Sequence, residues 1–177
     1  MLRSEIPVLG FAAYSGTGKT TLLTQLLPVL RDRGYRVGVI KHAHHDFDID
    51  KPGKDSYELR KAGANEMLVA SARRWALMVE TEDRGDPVLQ EMLDRLDQSN
   101  LDLVLVEGFK HESFPKIELH RPSVGKPLIF PQDKDVLAIA TDAELGADTG
   151  LTIIDINDIP AIAGFIITRF LSNEISD

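Results

Sequence analysis

The sequence predicts an α/β fold, a three-layer sandwich in which helices cover both faces of a mostly parallel sheet. Two observations lead to this prediction. Along the 177 residues, short apolar runs typical of buried strands alternate with segments that have the apolar periodicity of helices, and strands joined through helices pair in parallel by right-handed crossovers. No repeat and no Gly-, Ser- or Pro-rich linker divides the sequence, so residues 1–177 are predicted to form a single domain.

The first strand and the first helix are the clearest elements. Residues 6–12 are an apolar run typical of a strand buried on both faces. Residues 20–33 carry a stripe of leucines on one helical face, and Gly34 marks the end of that helix. Pro28 lies inside the helix and predicts a kink, because proline has no N–H to donate.

The later elements follow from shorter signals. One helix is predicted to open at Asp55 in a capping-box pattern and to end near Gly63, a second to begin at Asp86-Pro87, and a last one to be capped by Asp158. Residues 122–131 carry three prolines and a glycine and predict an exposed loop. The remaining strands are predicted at residues 35–41, 66–70, 75–80, 101–106, 116–119, 136–140 and 151–154.

Composition narrows the class of protein. The chain has 28 acidic and 20 basic residues and a formal charge of -8, which argues against nucleic-acid binding through surplus Lys and Arg. It has no cysteine, which excludes disulfides, thiolate metal sites and cysteine nucleophiles. No apolar run is long enough to span a membrane, and the N-terminal residues lack the pattern of a signal peptide. We therefore expect a cytoplasmic protein that binds neither nucleic acid nor membrane.

The strongest motif follows the first strand. Residues 13–20, Ala-Tyr-Ser-Gly-Thr-Gly-Lys-Thr, have the form of a phosphate-binding loop (Walker A), G-x-x-x-x-G-K-[ST], with Ala13 in place of the first glycine. The two glycines allow a tight turn whose N–H groups converge, and the lysine and threonine supply a charge for the β- and γ-phosphates and a ligand for Mg2+. The motif predicts a P-loop NTPase fold with a nucleotide held by Ser15, Gly16, Thr17, Gly18, Lys19, Thr20 and Thr21.

A carboxylate that completes the magnesium site is predicted at Glu107. The apolar strand at residues 101–106 runs into Glu107 and Gly108, and the acid that orients Mg2+ in these NTPases lies at a strand end beside the phosphate loop. We expect Thr20 and Glu107 to hold the ion, and Lys19 and Glu107 to act in any phosphoryl chemistry. Lys110 fits either an anion contact or a solvated loop.

A cluster of histidines and carboxylates follows the second strand, and three interpretations of it remain open. In the first, it is an active-site loop in which Asp46 or Asp48 joins the metal shell through water. There Lys41 or a histidine, such as His42 or His44, faces a substrate anion. In the second, it is a polar loop without a ligand. In the third, it is a transition-metal site, since imidazole suits zinc or nickel, with His42, His44 and His45 as ligands.

The choice of base is less readable. Asp142 follows a predicted strand, and a carboxylate there would accept hydrogen bonds from the N1 and N2 groups of guanine. An ordinary strand-to-turn exit explains the same residue equally well.

Several segments together closely resemble the molybdopterin-guanine dinucleotide biosynthesis protein B (MobB) family. The most specific is residues 50–64, Asp-Lys-Pro-Gly-Lys-Asp-Ser-Tyr-Glu-Leu-Arg-Lys-Ala-Gly-Ala; the others are residues 11–21, 40–46, 74–78 and 106–110. The resemblance implies a GTP-binding accessory protein, described as a homodimer with weak GTPase activity. It also implies a partner, the guanylyltransferase that attaches GMP to molybdenum-bound molybdopterin. The family's phosphate loop often has Ala at the position of Ala13, and its strand-end acid matches Glu107.

The leading hypothesis is that GTP and Mg2+ bind on the phosphate loop and bias residues 42–54 and 108–112. Hydrolysis is expected to be slow, because the sequence offers no evident water-positioning glutamine and no identifiable arginine finger. Two alternatives share the same loop: a P-loop small-molecule kinase, and a metal-delivery GTPase that uses the histidine cluster.

Overall fold

The computed structural model describes residues 2–43, 47–81, 85–145 and 149–172. The chain divides into two compact units. The first is formed by the residues up to His42 together with those from Val88 onward, and the second by Ala43–Pro87. The second unit is thus an insertion in the sequence of the first. That the whole chain acts as one domain stays a prediction.

The first unit contains a six-stranded parallel sheet. The described strands, in chain order, are β1 Val8–Ala12, β2 Val37–Lys41, β3 Glu66–Ala70, β4 Trp75–Val79, β5 Leu103–Glu107, β6 Lys116–His120, β7 Val136–Thr141 and β8 Thr152–Asp155. The strand order in the six-stranded sheet is β2-β5-β1-β6-β7-β8, so β1 lies between β5 and β6. The described α-helices are α1 Lys19–Asp32, α2 Asp55–Lys61, α3 Leu89–Leu93 and α4 Ile159–Ile166.

Two buried clusters lie on opposite faces of this sheet, because successive side chains of a strand point to opposite sides. Leu9 and Leu105 belong to the cluster that includes the buried side of α1 and α4. Val8 and Val104 belong to the other cluster, which includes Leu89 of α3. Helices therefore cover both faces, and the predicted three-layer α/β sandwich with a P-loop NTPase fold is confirmed.

Two helix starts differ from the prediction. Asp55 is the first residue of α2 rather than its cap; the cap position is Lys54, and no side chain caps it. The helix predicted at Asp86-Pro87 begins only at Leu89, whose N–H donates to the Glu112 carboxylate at 3.1 Å. A tertiary acceptor, which the local sequence does not reveal, thus fixes that start.

Other local predictions hold. Asp158 caps α4 and accepts a hydrogen bond from the Ala161 N–H at 2.9 Å. Pro28 lies inside α1, which continues to Asp32, and the kink expected there stays a prediction. The segment predicted as a loop contains two short 3-10 turns, Pro122–Val124 and Phe130–Gln132.

Among the described helices, none is both long and apolar enough to cross a lipid bilayer.

The second unit consists of α2 and an antiparallel hairpin of β3 and β4. Its charged centre is Arg60, which contacts Asp48 at 2.6 Å and also forms an ion pair with Glu80. These bonds hold the pKa of Arg60 above its ordinary value and, chiefly through the Arg60 hydrogen bond, hold the pKa of Asp48 below its own. The guanidinium thus joins the segment before α2, α2 itself and the residue that follows β4.

Candidate nucleotide-binding site

The phosphate-loop residues lie where the predicted fold requires them, between the end of β1 and the start of α1. In a parallel sheet the carboxyl ends of all strands share one edge, and ligands of open α/β sheets bind there. The register places Glu107 opposite Phe11 of β1 and also opposite Lys41 of β2. The last residues of β5 and β2 therefore lie side by side on one side of β1, the strand that leads into the loop.

The loop backbone depends on its two glycines. Gly16 and Gly18 have φ angles of 85° and 96°, in the left-handed region that other residues avoid. A Cβ at either position would meet no atom within 4 Å, so conformation rather than crowding demands glycine here. Among the described residues, the one non-glycine with positive φ is Phe109. Ala13 thus keeps an ordinary backbone, which explains why alanine replaces the first glycine of the motif.

The loop is held from inside and open outside. Thr17 is buried, and its hydroxyl donates to the Tyr14 carbonyl at 2.9 Å. Gly18 occupies the N-cap position of α1, and its carbonyl accepts from the Leu22 N–H. The other predicted contact residues, Ser15, Gly16, Gly18, Thr20 and Thr21, are exposed. The N-terminal end of α1, with its partial positive charge, is therefore accessible.

Two lysines form ion pairs with Glu107, and the charge of a third, Lys110, acts on one of them. The Lys19 ammonium lies 4.0 Å from one carboxylate oxygen and the Lys41 ammonium 3.5 Å from the other. The pKa of Lys19 is lowered, first by burial and then by the charges of Lys41 and Lys110, against the opposing effect of Glu107. The structure thus brings together four predicted site residues, which are three lysines and, among the described residues, one carboxylate.

The donor set at this position suits Mg2+. That ion prefers oxygen ligands, one or two carboxylates together with phosphates and water, and Glu107 and Thr20 offer a carboxylate and a hydroxyl. The Glu107 carboxylate lies near the ammonium of Lys19, the residue directly before Thr20. The Glu107 side chain keeps 15% of its surface exposed. The residues therefore fit a magnesium–nucleotide complex, although their role as ligands stays a prediction.

The ends of β2 and β5 are also locked together beyond the ion pairs. The His42 N–H donates to the Glu107 carbonyl at 2.8 Å, and the His42 ring packs at a tilt of 33° against the Phe109 ring, with centroids 5.0 Å apart. A Cβ on Gly108 would lie 2.6 Å from the His42 Cβ. Gly108 and Phe109 therefore pack closely against His42, the last residue of the first unit before the second unit begins.

One functional candidate was not found from the sequence. Arg121 donates through Nε to the Thr17 carbonyl of the phosphate loop at 3.3 Å, and through Nη1 to the Asp142 carboxylate. Its Nη2 donates to Asn157 at 2.9 Å. Asp142 therefore lies on the same edge as the loop, engaged by an arginine. An arginine directly after a strand is too common to have signalled this arrangement.

The histidine cluster is only partly visible. His44, His45 and Asp46 lie outside the described residues, so the active-site-loop and transition-metal interpretations stay predictions. Within the described ranges, no group of three or more His, Cys, Asp or Glu residues could hold a metal ion. Lys110 is exposed, and its charge acts on Lys19.

The sheet order, the glycine turn and the lysine beside a strand-end carboxylate define a protein with the P-loop NTPase fold. The model of the family "Molybdopterin guanine dinucleotide synthesis protein B" (MobB) matches residues 8–142. The chain belongs to this family.

Curated relatives agree. The molybdopterin-guanine dinucleotide biosynthesis adapter protein of Escherichia coli (strain K12) is 55% identical over 166 residues, 93% of this chain and 94% of that protein. The adapter protein of the same name from Haemophilus influenzae is 49% identical over 167 residues, 93% of this chain and 90% of that protein.

Solved structures share the fold. A crystal structure of molybdopterin-guanine biosynthesis protein B superposes with a TM-score of 0.70 at 27% identity and covers 91% of this chain and 98% of that one. The crystal structure of Bacillus subtilis MobB gives a TM-score of 0.73 at 22% identity, with 94% and 99% covered.

Proposed function

We propose that this chain is a GTP-binding accessory protein of molybdenum cofactor biosynthesis. In this role it assists the guanylyltransferase that joins GMP to molybdopterin. Membership of the family supports the pathway, and the names of the curated relatives support an adapter role. The observation that carries the nucleotide part is the open glycine turn with the Lys19 ammonium 4.0 Å from Glu107.

The chain's own residues supply most of what a triphosphate needs. Backbone N–H groups of the loop and the start of α1 bind the phosphate oxygens, because unpaired donors and the helix dipole converge there. Lys19 neutralises charge on the β- and γ-phosphates, and Thr20 and Glu107 hold the ion. When bound, Mg2+ offsets negative charge between these two phosphates. Burial, and then the charges of Lys41 and Lys110, lower the pKa of Lys19, so the negative charge of a triphosphate beside it would stabilise its charged form.

Lys41 and Lys110 extend this electrostatic environment toward the γ-phosphate. Lys41 ends β2 and shares Glu107 with Lys19, so redirecting the carboxylate to an ion releases Lys41 to face an anion. His42 follows Lys41 directly, and residues 43–54 begin the second unit. We propose that this segment and residues 108–112 respond to the nucleotide, as switch segments ordered by a γ-phosphate do.

Weak GTP hydrolysis is part of the proposal. The chain is accordingly an adapter with a slow GTPase activity, and it acts in the cytoplasm with the guanylyltransferase and molybdopterin as partners.

The nucleotide part is tested by calorimetric titration of GTP and ATP onto the purified chain, with Mg2+ and with EDTA, followed by titration of molybdopterin. We expect GTP to bind more tightly than ATP and Mg2+ to strengthen the binding. Equal affinity for the two nucleotides would contradict the proposed GTP specificity.

The accessory part is tested by the amount of molybdopterin guanine dinucleotide that the guanylyltransferase forms with and without this chain. We expect the wild-type chain, and not the Lys19→Ala variant, to increase the yield. An equal increase by both would mean that assistance does not use the bound nucleotide.

We also propose a homodimer. The β3–β4 hairpin supports it, since one face carries the exposed apolar side chains of Leu68, Trp75, Leu77 and Val79. An exposed patch of this kind on a small protein marks an interaction surface.

A further inference from the structure

Arg121 joins three segments that lie far apart in sequence. It follows β6, and its guanidinium donates to Asp142 after β7, to Asn157 after β8, and to the Thr17 carbonyl in the phosphate loop after β1. All four strands end at the same edge of the sheet. One side chain thus connects the phosphate loop with the far half of the crevice in which ligands of such sheets bind.

The ion pair between Arg121 and Asp142 is not buried. The side chains of Arg121 and Asp142 keep 29% and 31% of their surface exposed, so the ion pair remains reachable from solvent. Arg121 bonds the Oδ2 atom of Asp142, and an ionised carboxylate offers about four acceptor positions. Among the described residues, no partner is found for Oδ1. The carboxylate therefore has capacity for a ligand while Arg121 holds it.

The arginine itself is fixed from the other side. Asn157 accepts from Arg121 through Oδ1, while its backbone N–H and its side-chain amide both donate to the Asp155 carboxylate at 2.8 and 3.1 Å. These bonds set the direction of the asparagine amide. The planar fork of Arg121 consequently has a defined orientation, as arginine favours when several acceptors lie in its plane.

We propose that Arg121 is a positioning residue that holds Asp142 to read the base of the bound nucleotide as guanine, an inference that rests on the proposed function. Guanine offers two adjacent donors, N1–H and the N2 amino group, and a carboxylate accepts both. Adenine has an acceptor at N1, which the carboxylate repels. The same guanidinium also donates to the Thr17 carbonyl. Arg121 therefore sets the distance between the Asp142 carboxylate and the phosphate loop.

The experiment measures affinity for GTP, for inosine triphosphate, which lacks the 2-amino group, for xanthosine triphosphate, which has an oxygen there, and for inorganic tripolyphosphate. The proteins are the wild type, Asp142→Asn, Arg121→Gln and Arg121→Lys. Arg36→Gln is the matched control, since Arg36 forms a similar ion pair with Asp102 at 3.0 Å at the amino ends of β2 and β5. Thermal unfolding of each variant shows that it is folded.

We expect the wild type to prefer GTP over inosine triphosphate by about tenfold or more, the usual strength of a hydrogen bond to a charged group. Asp142→Asn should reverse the preference toward xanthosine triphosphate. Arg121→Gln should reduce the preference for GTP to within about threefold and lower GTP affinity more than tripolyphosphate affinity, and Arg121→Lys should restore part of the preference. Arg36→Gln should behave as wild type.

Three results would overturn the inference while leaving nucleotide binding intact. One is an unchanged ratio of GTP to inosine triphosphate affinity in Arg121→Gln. Another is an equal loss of affinity for both nucleotides and tripolyphosphate in that variant, which is what a merely structural role predicts. The last is an Asp142→Asn variant that keeps the wild-type preference. If the wild type binds neither GTP nor tripolyphosphate, the proposed function fails and the inference fails with it.

Discussion

Glu107 concentrates the chemistry of the site in one side chain. Its oxygens lie 4.0 Å from Lys19 and 3.5 Å from Lys41, and its carbonyl accepts from the His42 N–H. The proximity of Glu107 and Lys19 could be predicted, because both follow strand ends that a parallel sheet brings to one edge. The role of Arg121 could not, because nothing local to residue 121 reveals that its acceptors lie at residues 17, 142 and 157.

Glu107→Gln tests the magnesium role. The change removes a negative charge that repels phosphate and is proposed to hold the ion. We expect tighter GTP binding in EDTA than in the wild type, and an affinity that no longer rises when Mg2+ is added. Calorimetric titration with and without Mg2+ measures both effects, and an unchanged response to Mg2+ would remove Glu107 from the metal site.

Gly108→Ala tests the contact between the ends of β2 and β5. The φ of 98° disfavours alanine, and the new Cβ would lie 2.6 Å from the His42 Cβ. We expect a loss of about 2–4 kcal/mol in the free energy of unfolding, from left-handed strain of about 1–2 kcal/mol together with overpacking. Urea unfolding measures the loss.

Gly125→Ala is the control for this prediction. Gly125 also has positive φ, 67°, but open space around its Cβ position, so it should lose only the strain energy of about 1–2 kcal/mol. Equal losses at the two glycines would show that the close approach to His42 adds no cost to the substitution at Gly108.

At the scale of elements, the sequence predicted the strands of the parallel sheet within about two residues, because buried strands carry continuous apolar runs. Helix starts were harder. α3 begins at Leu89 because of a tertiary bond to Glu112, and no local signal encodes that acceptor. Asp102, directly before β5, accepts from the backbone N–H and the guanidinium of Arg36, which ties the amino ends of β2 and β5 together.

This tie predicts a pH dependence of stability. The hydrogen bonds from Arg36 lower the pKa of Asp102 in the folded chain, so the ionised form stabilises the fold. The contribution is fully present above the unfolded pKa of about 3.9 and is lost as pH falls through the lower folded pKa. We expect the stability difference between the wild type and Asp102→Asn to be constant from pH 5 to 7 and to vanish in acid. Chemical unfolding at several pH values measures this difference in stability. A difference that grows in acid would contradict a lowered pKa of Asp102 in the folded chain.

At the scale of the whole molecule, the chain combines a nucleotide-binding fold with an inserted second unit. The net charge is -8, yet Lys41 and Lys110 act on Lys19 at the phosphate loop, and such local patches of positive charge attract anions despite the overall charge. Family membership could be predicted from short segments such as residues 50–64. The division into two units could not, since no change in composition marks residues 43 and 87.

The hairpin of the second unit predicts the oligomeric state. Trp75 is 69% exposed and Leu77 42% exposed on one face of β4, so a charge there should weaken a dimer that uses this face. We expect sedimentation velocity to show a dimer for the wild type and for Ile153→Glu, which places the same charge at an exposed apolar position of β8. Trp75→Glu should shift the equilibrium toward monomer, and an unchanged dimer would exclude this hairpin face as the interface.

Nucleotide binding on the phosphate loop is tested most directly by titration of GTP with Mg2+ onto the wild type, Lys19→Ala and Lys134→Ala, the last a change at an exposed lysine outside the site. We expect Lys19→Ala to lower GTP affinity by about a hundredfold or more, the upper range for a charge-assisted hydrogen bond, and Lys134→Ala to bind as the wild type does. Wild-type affinity in Lys19→Ala would contradict the claim that the nucleotide lies on this loop.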